Sequence, residues 1–232
     1  MNDDPVHVSV VGDWTVEAYV NGQFRQNAYL VKHTSGRALA IDPGGRAEDM
    51  IGAIESGRLA LDAILLTHGH FDHIGGCDAL AAHFGQRAVA HEGDKRLVRQ
   101  ASLYALRFCR LAMHPPARLD YFEGTPSFAA AGADWRTIST PGHTRGSVCY
   151  LGAGMVFVGD LLFRDSVGPA ARPEGDPELL NQSISGLLGA LADDVVIFSG
   201  HGKPWTIGEA RKWWAALSGP PPVYGIFDRA GA

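Results

Sequence analysis

The sequence predicts an α/β fold in which strands deliver polar side chains at their ends, and three observations carry that prediction. The run "LDAILLT" (61–67) is short, apolar and stops directly before "HGHFDHIGG", as a strand buried on both faces would. It is followed by a helical pattern, "IGGCDALAAHFG" (74–85), and a second short strand, "RAVAH" (87–91), so strand and helix alternate. The second half repeats this logic: "MVFVGD" (155–160) ends in Asp160, and "DDVVIFSGHG" (193–202) leads into His201.

Taken in order, the first third reads as strands and turns: "VHVSVVG" (6–12), "WTVEAYVNG" (14–22), "QNAYLVKH" (26–33) and "RALAIDPGG" (37–45), with Gly44 and Gly45 as turn residues. A helical pattern starts at Ala47, runs through Ile51, Ile54 and Glu55, and meets a stop signal at Gly57. Gly85 ends the helix after the histidine cluster. Residues 93–113 form the longest helical candidate, with Leu97, Ala101, Leu103, Leu106 and Leu111 on one side and Lys95, Arg96, Arg99, Arg107 and Arg110 mostly elsewhere. That pattern fits an amphipathic surface helix; the sharper reading is a basic cover over a site for an anionic substrate. "HPP" (114–116) breaks the helix, after which "ADWRTIST" (133–140) and "SVCYLGAG" (147–154) read as strands. "DPELLNQSISGLLGAL" (176–191) has Asp176 as N-cap and Pro177 at the first helical position. "TIGEARKWWAALSG" (206–219) is a last helix, capped by Thr206 and stopped by Gly219, and the tail 219–232 reads as an extended segment packed on the body or on a neighbouring subunit. With no low-complexity segment or linker, the expectation is one domain over 1–232, with 93–125 as a helical insertion and potential substrate cover.

Composition narrows the partners. A chain with 46% hydrophobic and 19% charged residues has the makeup of an ordinary globular protein. The formal net charge of -5 gives no electrostatic reason to bind nucleic acid. The opening residues lack a secretory pattern and no apolar run approaches the ~20 residues of a membrane span, so the expected location is cytoplasmic, without membrane contact. Cys77, Cys109 and Cys149 are far apart and form no C-x-x-C pair, which argues for buried free thiols rather than a disulfide framework or zinc knuckle. A small molecule is the expected partner, and a homodimer is left open.

The chemistry lies in His68, His70, Asp72 and His73. In an extended loop alternate side chains share a direction, so His68 and His70 can grip one cation while Asp72 and His73 turn towards a second. Such a run cannot complete two coordination shells alone. His143 in "STPGHTRGS", Asp160 and His201 in "IFSGHGKPW" also follow strand ends, and the glycines beside His201 permit close backbone approach. If the strands lie side by side, five histidines and two aspartates meet at one edge. His7, His33, His83, His91 and His114 stand outside this pattern and read as structural or exposed.

"THGHFDHIGG", "TPGHT", "FVGDLLF" and "GHG", with "QNAYLV", "IDPGG" and "TIGEAR" around them, resemble the metallo-β-lactamase-fold hydrolases, most nearly the short glyoxalase II-like (hydroxyacylglutathione hydrolase-like) branch. The resemblance implies an αββα sandwich of two mixed β-sheets flanked by helices, with two divalent metals at one edge. It further implies that His68, His70 and His143 bind one metal, that Asp72, His73 and His201 bind the other, that Asp160 bridges them, and that Asp42 supports the ligands from behind. Donors of nitrogen and oxygen alone suit zinc, iron or manganese; zinc is the first expectation.

The expected activity is hydrolysis of a hydroxyacylglutathione-type thioester by a metal-bridging hydroxide, with Asp72 and Asp160 as the acidic members of the catalytic centre. Two dications against two aspartates and a hydroxide leave a small positive excess that draws an anionic substrate and stabilises an oxyanion. Arg145, Arg164 and Lys203 are the candidates to meet that substrate's charge. The alternatives on the same scaffold are a glutathione persulfide dioxygenase, with one iron on His68, His143 and Asp160, and a lactone hydrolase. Lactonases of this pattern carry a tyrosine three residues after the bridging aspartate, where Phe163 stands. "GDLLF" and "DSVGPAA" depart from the family's more polar "GDTLF" and "GSIGRTD", which implies an altered substrate pocket. Little follows "TIGEARKWW" where glyoxalase II has a helical region for glutathione.

Overall fold

A computed structural model describes residues 7–171 and 174–224. β1 (His7–Val11), β2 (Trp14–Asn21), β3 (Gln26–His33) and β4 (Arg37–Ile41) pair antiparallel in succession. Helix α1 (Ala47–Ser56) crosses over to β5 (Ala60–Leu65), which runs parallel to β4. The short α2 (Phe71–Ile74) and α3 (Cys77–Phe84) lead to β6 (Ala88–His91); a 3-10 turn, α4 (Lys95–Arg99) and α5 (Ala101–Cys109) lead to β7 (Leu119–Phe122), and both added strands are parallel. The first sheet therefore holds seven strands in chain order.

The second sheet is built from β8 (Ser127–Ala130), β9 (Ala133–Ser139), β10 (Val148–Gly152) and β11 (Met155–Gly159), all antiparallel. A small hairpin of β12 (Leu162–Phe163) and β13 (Ser166–Val167) and the helix α6 (Pro177–Ala190) follow. β14 (Val196–Ser199) returns parallel to β11, and β15 (Trp205–Thr206) and α7 (Ile207–Ala215) close the described chain. Spatial order is β15-β14-β11-β10-β9-β8.

Three apolar clusters define the layers. Val16, Tyr29, Val31 and Leu39 of the first sheet pack on Trp135, Tyr150, Phe157 and Phe198 of the second. The other face of the first sheet, with Leu30, Ala40 and Ile64, lies under Met50 and Ile54 of α1, Leu80 of α3 and Ala105 of α5. The outer face of the second carries Ile184, Leu187 and Ala210 of α6 and α7 against Val156, Val158 and Ile197. This is the αββα sandwich of two mixed sheets that the motifs imply. Strands with apolar residues on both faces, such as β11, are those that must be covered twice.

Helix ends follow local chemistry. Asp176 accepts from the amides of Glu178 and Leu179 with Pro177 just inside α6, and Thr206 and Glu209 form a reciprocal capping box on α7. Gly57 caps α1, and Gly85 ends α3 in the left-handed conformation. α7 stops at Ala215, short of the Gly219 stop signal.

The largest departure from sequence expectation is 93–113. It is no single helix: the backbone breaks at Gln100, which resets the phase between α4 and α5. Leu97, Val98, Ala101 and Ala105 are buried, whereas Leu103, Leu106 and Leu111 are exposed, so the expected apolar stripe is buried only at Leu97 and Ala101. Within 93–125, residues 119–122 are strand rather than helix. β8, β12, β13 and β15 were also invisible to strand patterning, being two to four residues long. The tail expectation extends beyond the described residues, but as far as Tyr224 it is met: Val167 N–H donates to Pro222 O at 2.9 Å and Tyr224 N–H to Val167 O at 2.8 Å. Among the described residues no helix is long and apolar enough to cross a membrane.

At one end of the sandwich the two sheets are joined by buried hydrogen bonds rather than by apolar contact. Tyr29 on β3 accepts from Asn27 Nδ2 at 3.0 Å and donates to Ser199 O on β14 at 2.5 Å, and Asn27 N–H donates to Gly200 O at 2.7 Å. Tyr150 on β10 donates to Leu66 O at 2.8 Å, and Val148 N–H donates to Thr67 O at 2.9 Å. Burial pushes both phenols well above their ordinary range, so both remain donors. Replacing Tyr29 by Phe removes one of the two side-chain donors to the Ser199 carbonyl, which keeps Asn27 Nδ2 at 3.0 Å. The expected result is a loss of about 0.5–1.5 kcal/mol in unfolding free energy by urea titration; an unchanged midpoint would contradict a role for this bond in joining the sheets.

Candidate metal centre

The strand ends converge as the spacing suggested. His68 follows β5, His143 lies in the loop between β9 and β10, Asp160 follows β11, and His201 follows β14. The "HGHFDH" run is not wholly extended, however. His70 is the N-cap residue of α2, with φ -69° and ψ 145°, and Asp72 and His73 sit on that helical turn. The change from extended to helical backbone at His70 separates the two groups.

His143 Nε2 lies 3.3 Å from His68 Nε2 and 2.8 Å from His70 Nδ1, and the latter two atoms are 3.1 Å apart. Asp72 Oδ2 lies 3.8 Å from His73 Nε2 and 3.9 Å from His201 Nε2. In each trio the candidate ligand atoms all lie within 4.8 Å of one another. Asp160 stands between the trios: its Oδ2 is 3.5 Å from both His143 Nε2 and His201 Nε2, and its Oδ1 is 3.3 Å from His73 Nε2. Asp42, His68 and His73 also form a close trio, but there Asp42 faces the outer nitrogen of His73.

The outer partners decide which ring nitrogen carries a lone pair. His143 Nδ1 faces Pro169 O, and His201 Nδ1 faces Phe24 O at 2.8 Å. A carbonyl only accepts, so both Nδ1 atoms are protonated. His73 Nδ1 donates to Asp42 Oδ2 at 2.9 Å. Thr67 spends its hydroxyl proton on the same carboxylate oxygen at 2.6 Å and so accepts from His68 Nδ1 at 3.0 Å. In these four imidazoles Nε2 is the nitrogen turned inward; His70 turns Nδ1 inward. Asp42, which also accepts from Thr67 N–H at 2.8 Å, sits in the left-handed region at φ 47°, a strained backbone for a non-glycine residue. Its carboxylate is thus held behind His68 and His73.

Among the described residues, His73 Nε2, His201 Nε2 and Asp160 Oδ1 are buried and lack a hydrogen bond of acceptable geometry, although His73 and Asp160 approach to 3.3 Å. Each such atom costs about 1–3 kcal/mol if left unmet. Three of them aimed at one point, beside further imidazole and carboxylate donors, fit a bound dication in number and chemistry. Gly200 leaves the room: a Cβ there would lie 2.2 Å from Asp160 Oδ1 and 2.8 Å from His73 Cε1.

Charge separates the trios further. Burial, then the neighbouring histidines, hold His68 and His70 well below the usual imidazole range, so both are neutral near pH 7. Burial also acts to lower His73 and His201, but Asp160 and Asp72 outweigh it and raise both; burial acts to raise Asp160, yet His201 and His73 hold it well below the carboxylate range. A raised histidine stabilises the fold below the ordinary histidine value and loses that contribution as pH rises through the raised value.

Two residues that sequence reasoning missed tie the centre together. Asp94, in the turn after β6, is buried and accepts from Gly69 N–H at 2.8 Å, Gly146 N–H at 2.7 Å and Thr144 Oγ1 at 2.8 Å. It therefore clamps the loop of His68 and His70 to the loop of His143. Gly146 permits this, since a Cβ there would fall 2.6 Å from Asp94 N. Gln26 Nε2 donates to Asn27 O at 2.8 Å and Asp42 O at 3.1 Å, beside His73. Asp94 falls at the start of the run 93–113 that reads as a helix, so nothing in the local pattern sets it apart.

Of the remaining candidates, Arg145 is exposed beside His143, Arg164 pairs with Glu209 at 3.2 Å on the surface, and Lys203 is exposed two residues past His201. His83 pairs with Glu55, His33 contacts Ser35, and His91 accepts from Gly93 N–H, all away from the centre.

Two outcomes follow. Asp94→Asn places an amide against backbone donors, and it should weaken metal binding at the His68, His70, His143 trio by about 10–100-fold in chelator competition; unchanged affinity would remove Asp94 from the centre's support. Adding zinc at pH 7 to chelator-treated protein should fill the neutral His68, His70 trio first with little proton release. The second equivalent should then displace protons from His73 and His201 and bind more weakly as pH falls. Calorimetry in buffers of different ionisation enthalpy measures this, and equal proton counts for both equivalents would contradict it.

The metallo-beta-lactamase superfamily model matches residues 21–201. A hydroxyacylglutathione hydrolase, GloC, of Haemophilus influenzae is 37% identical over 194 residues, covering 82% of this chain and 91% of the relative. Among solved structures, the BLEG-1 B3 metallo-beta-lactamase superposes with a TM-score of 0.81 at 31% identity, covering 88% of this chain and 100% of that one. TTHA1623, solved in a di-iron-bound form, superposes with a TM-score of 0.75 at 33% identity, covering 86% of this chain and 99% of that one. The fold, the motif order and these likenesses agree: the chain belongs to the metallo-beta-lactamase superfamily.

Proposed function

We propose that this protein hydrolyses thioesters of the hydroxyacylglutathione type with two divalent cations, His68, His70 and His143 holding one and Asp72, His73 and His201 the other. The observation that carries the reading is Asp160, whose carboxylate stands 3.5 Å from the inward nitrogen of one member of each trio. When bound, two dications acidify a water and polarise a carbonyl oxygen. Nitrogen and oxygen donors suit zinc, and the di-iron form of a 33% identical relative supports iron as the alternative.

The chain's own groups set the direction of approach. His68, His73, His143, Asp160 and His201 are sealed from solvent, whereas His70 and Asp72 are partly exposed, so substrate enters over their edge. Asp160 stays ionised and, with Asp72, leaves two dications only partly neutralised, a field that favours an anionic substrate and a developing oxyanion. The buried carboxylates behind the ligands, Asp42 and Asp94, are fixed by hydrogen bonds of their own and are not spare acids for a leaving group. A thiolate departs without a proton, whereas an amine or alkoxide needs one, and this favours thioesters.

Two features weigh against rival readings. A single-iron dioxygenase would leave the inward nitrogens of His73 and His201 without a role. A β-lactam substrate, suggested by the name of the BLEG-1 relative, has a nitrogen leaving group that needs a proton. The test is a panel of S-lactoylglutathione, other acyl thioesters, glutathione persulfide, lactones and a β-lactam, with metal content measured alongside. The thioesters should turn over with two metals per chain, and Asp160→Asn should lower kcat by about 100-fold or more. Fully loaded protein that ignores every thioester would overturn the reading.

A further inference from the structure

A cavity of about 430 Å³ opens beside His143, lined by Gly142, Thr144, Arg145, Glu174, Gly175 and Leu179, with Asp176 at its rim. Gly142 and Thr144 are the chain neighbours of His143, so the cavity starts within one residue of a proposed metal ligand. Asp176 N–H donates to Gly142 O at 2.7 Å and fixes the cavity's floor. Tyr104 of α5 donates to Glu174 at 3.4 Å, and α5 also packs on α2, which carries Asp72 and His73. One helix thus touches both a lining residue of the cavity and the helix that carries Asp72 and His73.

Its charges are mixed. Arg145 forms no ion pair among the described residues, and Asp176 is occupied as the cap of α6. Arg145 offers a planar fork to a carboxylate, and Glu174, whose hydrogen bond from Tyr104 is long at 3.4 Å, has acceptor capacity for an ammonium among the described residues. Among the described lining residues a polyphosphate nucleotide would meet the Glu174 carboxylate beside Arg145, which disfavours it. A group with an ammonium and a carboxylate on one carbon matches the pair.

We propose that this cavity binds the zwitterionic α-amino-acid end of the substrate's thiol, Glu174 taking the ammonium and Arg145 the carboxylate, and so selects glutathione-like thiols over nucleotide-bearing ones. The inference rests on the thioesterase reading and names the part of the substrate that leaves. The reach is adequate: in a γ-glutamyl-cysteinyl thiol the sulfur and the amino-acid carbon are about 7 Å apart, roughly two residues of extended chain. It also supplies a recognition surface within the described chain, formed by the loops at 142–145 and 174–179.

The experiment is calorimetric titration of the zinc-loaded full chain with S-methylglutathione, which has no free thiol to ligate metal and no thioester to cleave, and with its N-acetyl derivative. Wild type should bind S-methylglutathione about tenfold more tightly than the N-acetyl compound, the scale of one lost charge-assisted hydrogen bond. Glu174→Gln should erase that preference, and Arg145→Gln should weaken both compounds. Equal affinities in wild type, no binding at millimolar ligand, or a preference that persists in Glu174→Gln would each overturn the proposal. Glu174-dependent binding by a chain that cleaves no thioester would end the hydrolase reading and leave this subsite standing; thioester cleavage with Glu174-independent binding would do the reverse.

Discussion

The centre depends on a constraint one bond behind the ligands: each imbalance of a histidine ring is settled by its outer nitrogen. Pro169 and Phe24 carbonyls, the Asp42 carboxylate and the Thr67 hydroxyl hold the Nδ1 protons of His143, His201, His73 and His68. Their Nε2 atoms then face inward, packed closer than neutral imidazoles would choose without something between them. Such partners fix both tautomer and ring orientation. The strained Asp42 backbone and the buried Asp94 carboxylate are costs of the same arrangement, offset by the sandwich that surrounds them.

That constraint explains why the two sheets meet through polar groups at this end. Elsewhere the interface is aromatic and aliphatic, with Trp14 of the first sheet 5.8 Å from Trp135 of the second. Near the centre, Asn27, Tyr29 and Tyr150 replace apolar packing with directional bonds, which set the loops at His201 and His68 more narrowly than packing could. The tail adds a further contact: the Tyr224 ring lies 5.2 Å from the His201 ring, nearly parallel to it, and 4.9 Å from Phe163. An aromatic from the far end of the described chain therefore covers a proposed ligand.

Much of this was legible in the sequence. The paired-apolar strands, the caps at Asp176 and Thr206 and the convergence of His68, His143, Asp160 and His201 at strand ends all depend on local pattern. What patterning could not supply was the break at Gln100, because a heptad-like run of leucines does not record where tertiary contacts interrupt it. Nor could it find Asp94 or Gln26, whose roles arise from loops distant in sequence. Strands such as β12 and β15 are too short to carry a period.

The most direct measurement of the central claim is a crystal structure of zinc-loaded protein with anomalous scattering collected at the zinc edge. The account predicts two peaks: one about 2.0–2.2 Å from His68 Nε2, His70 Nδ1 and His143 Nε2, the other at that distance from Asp72, His73 Nε2 and His201 Nε2, with Asp160 reaching both. A single peak, or His201 or Asp160 turned away from the ions, would contradict it.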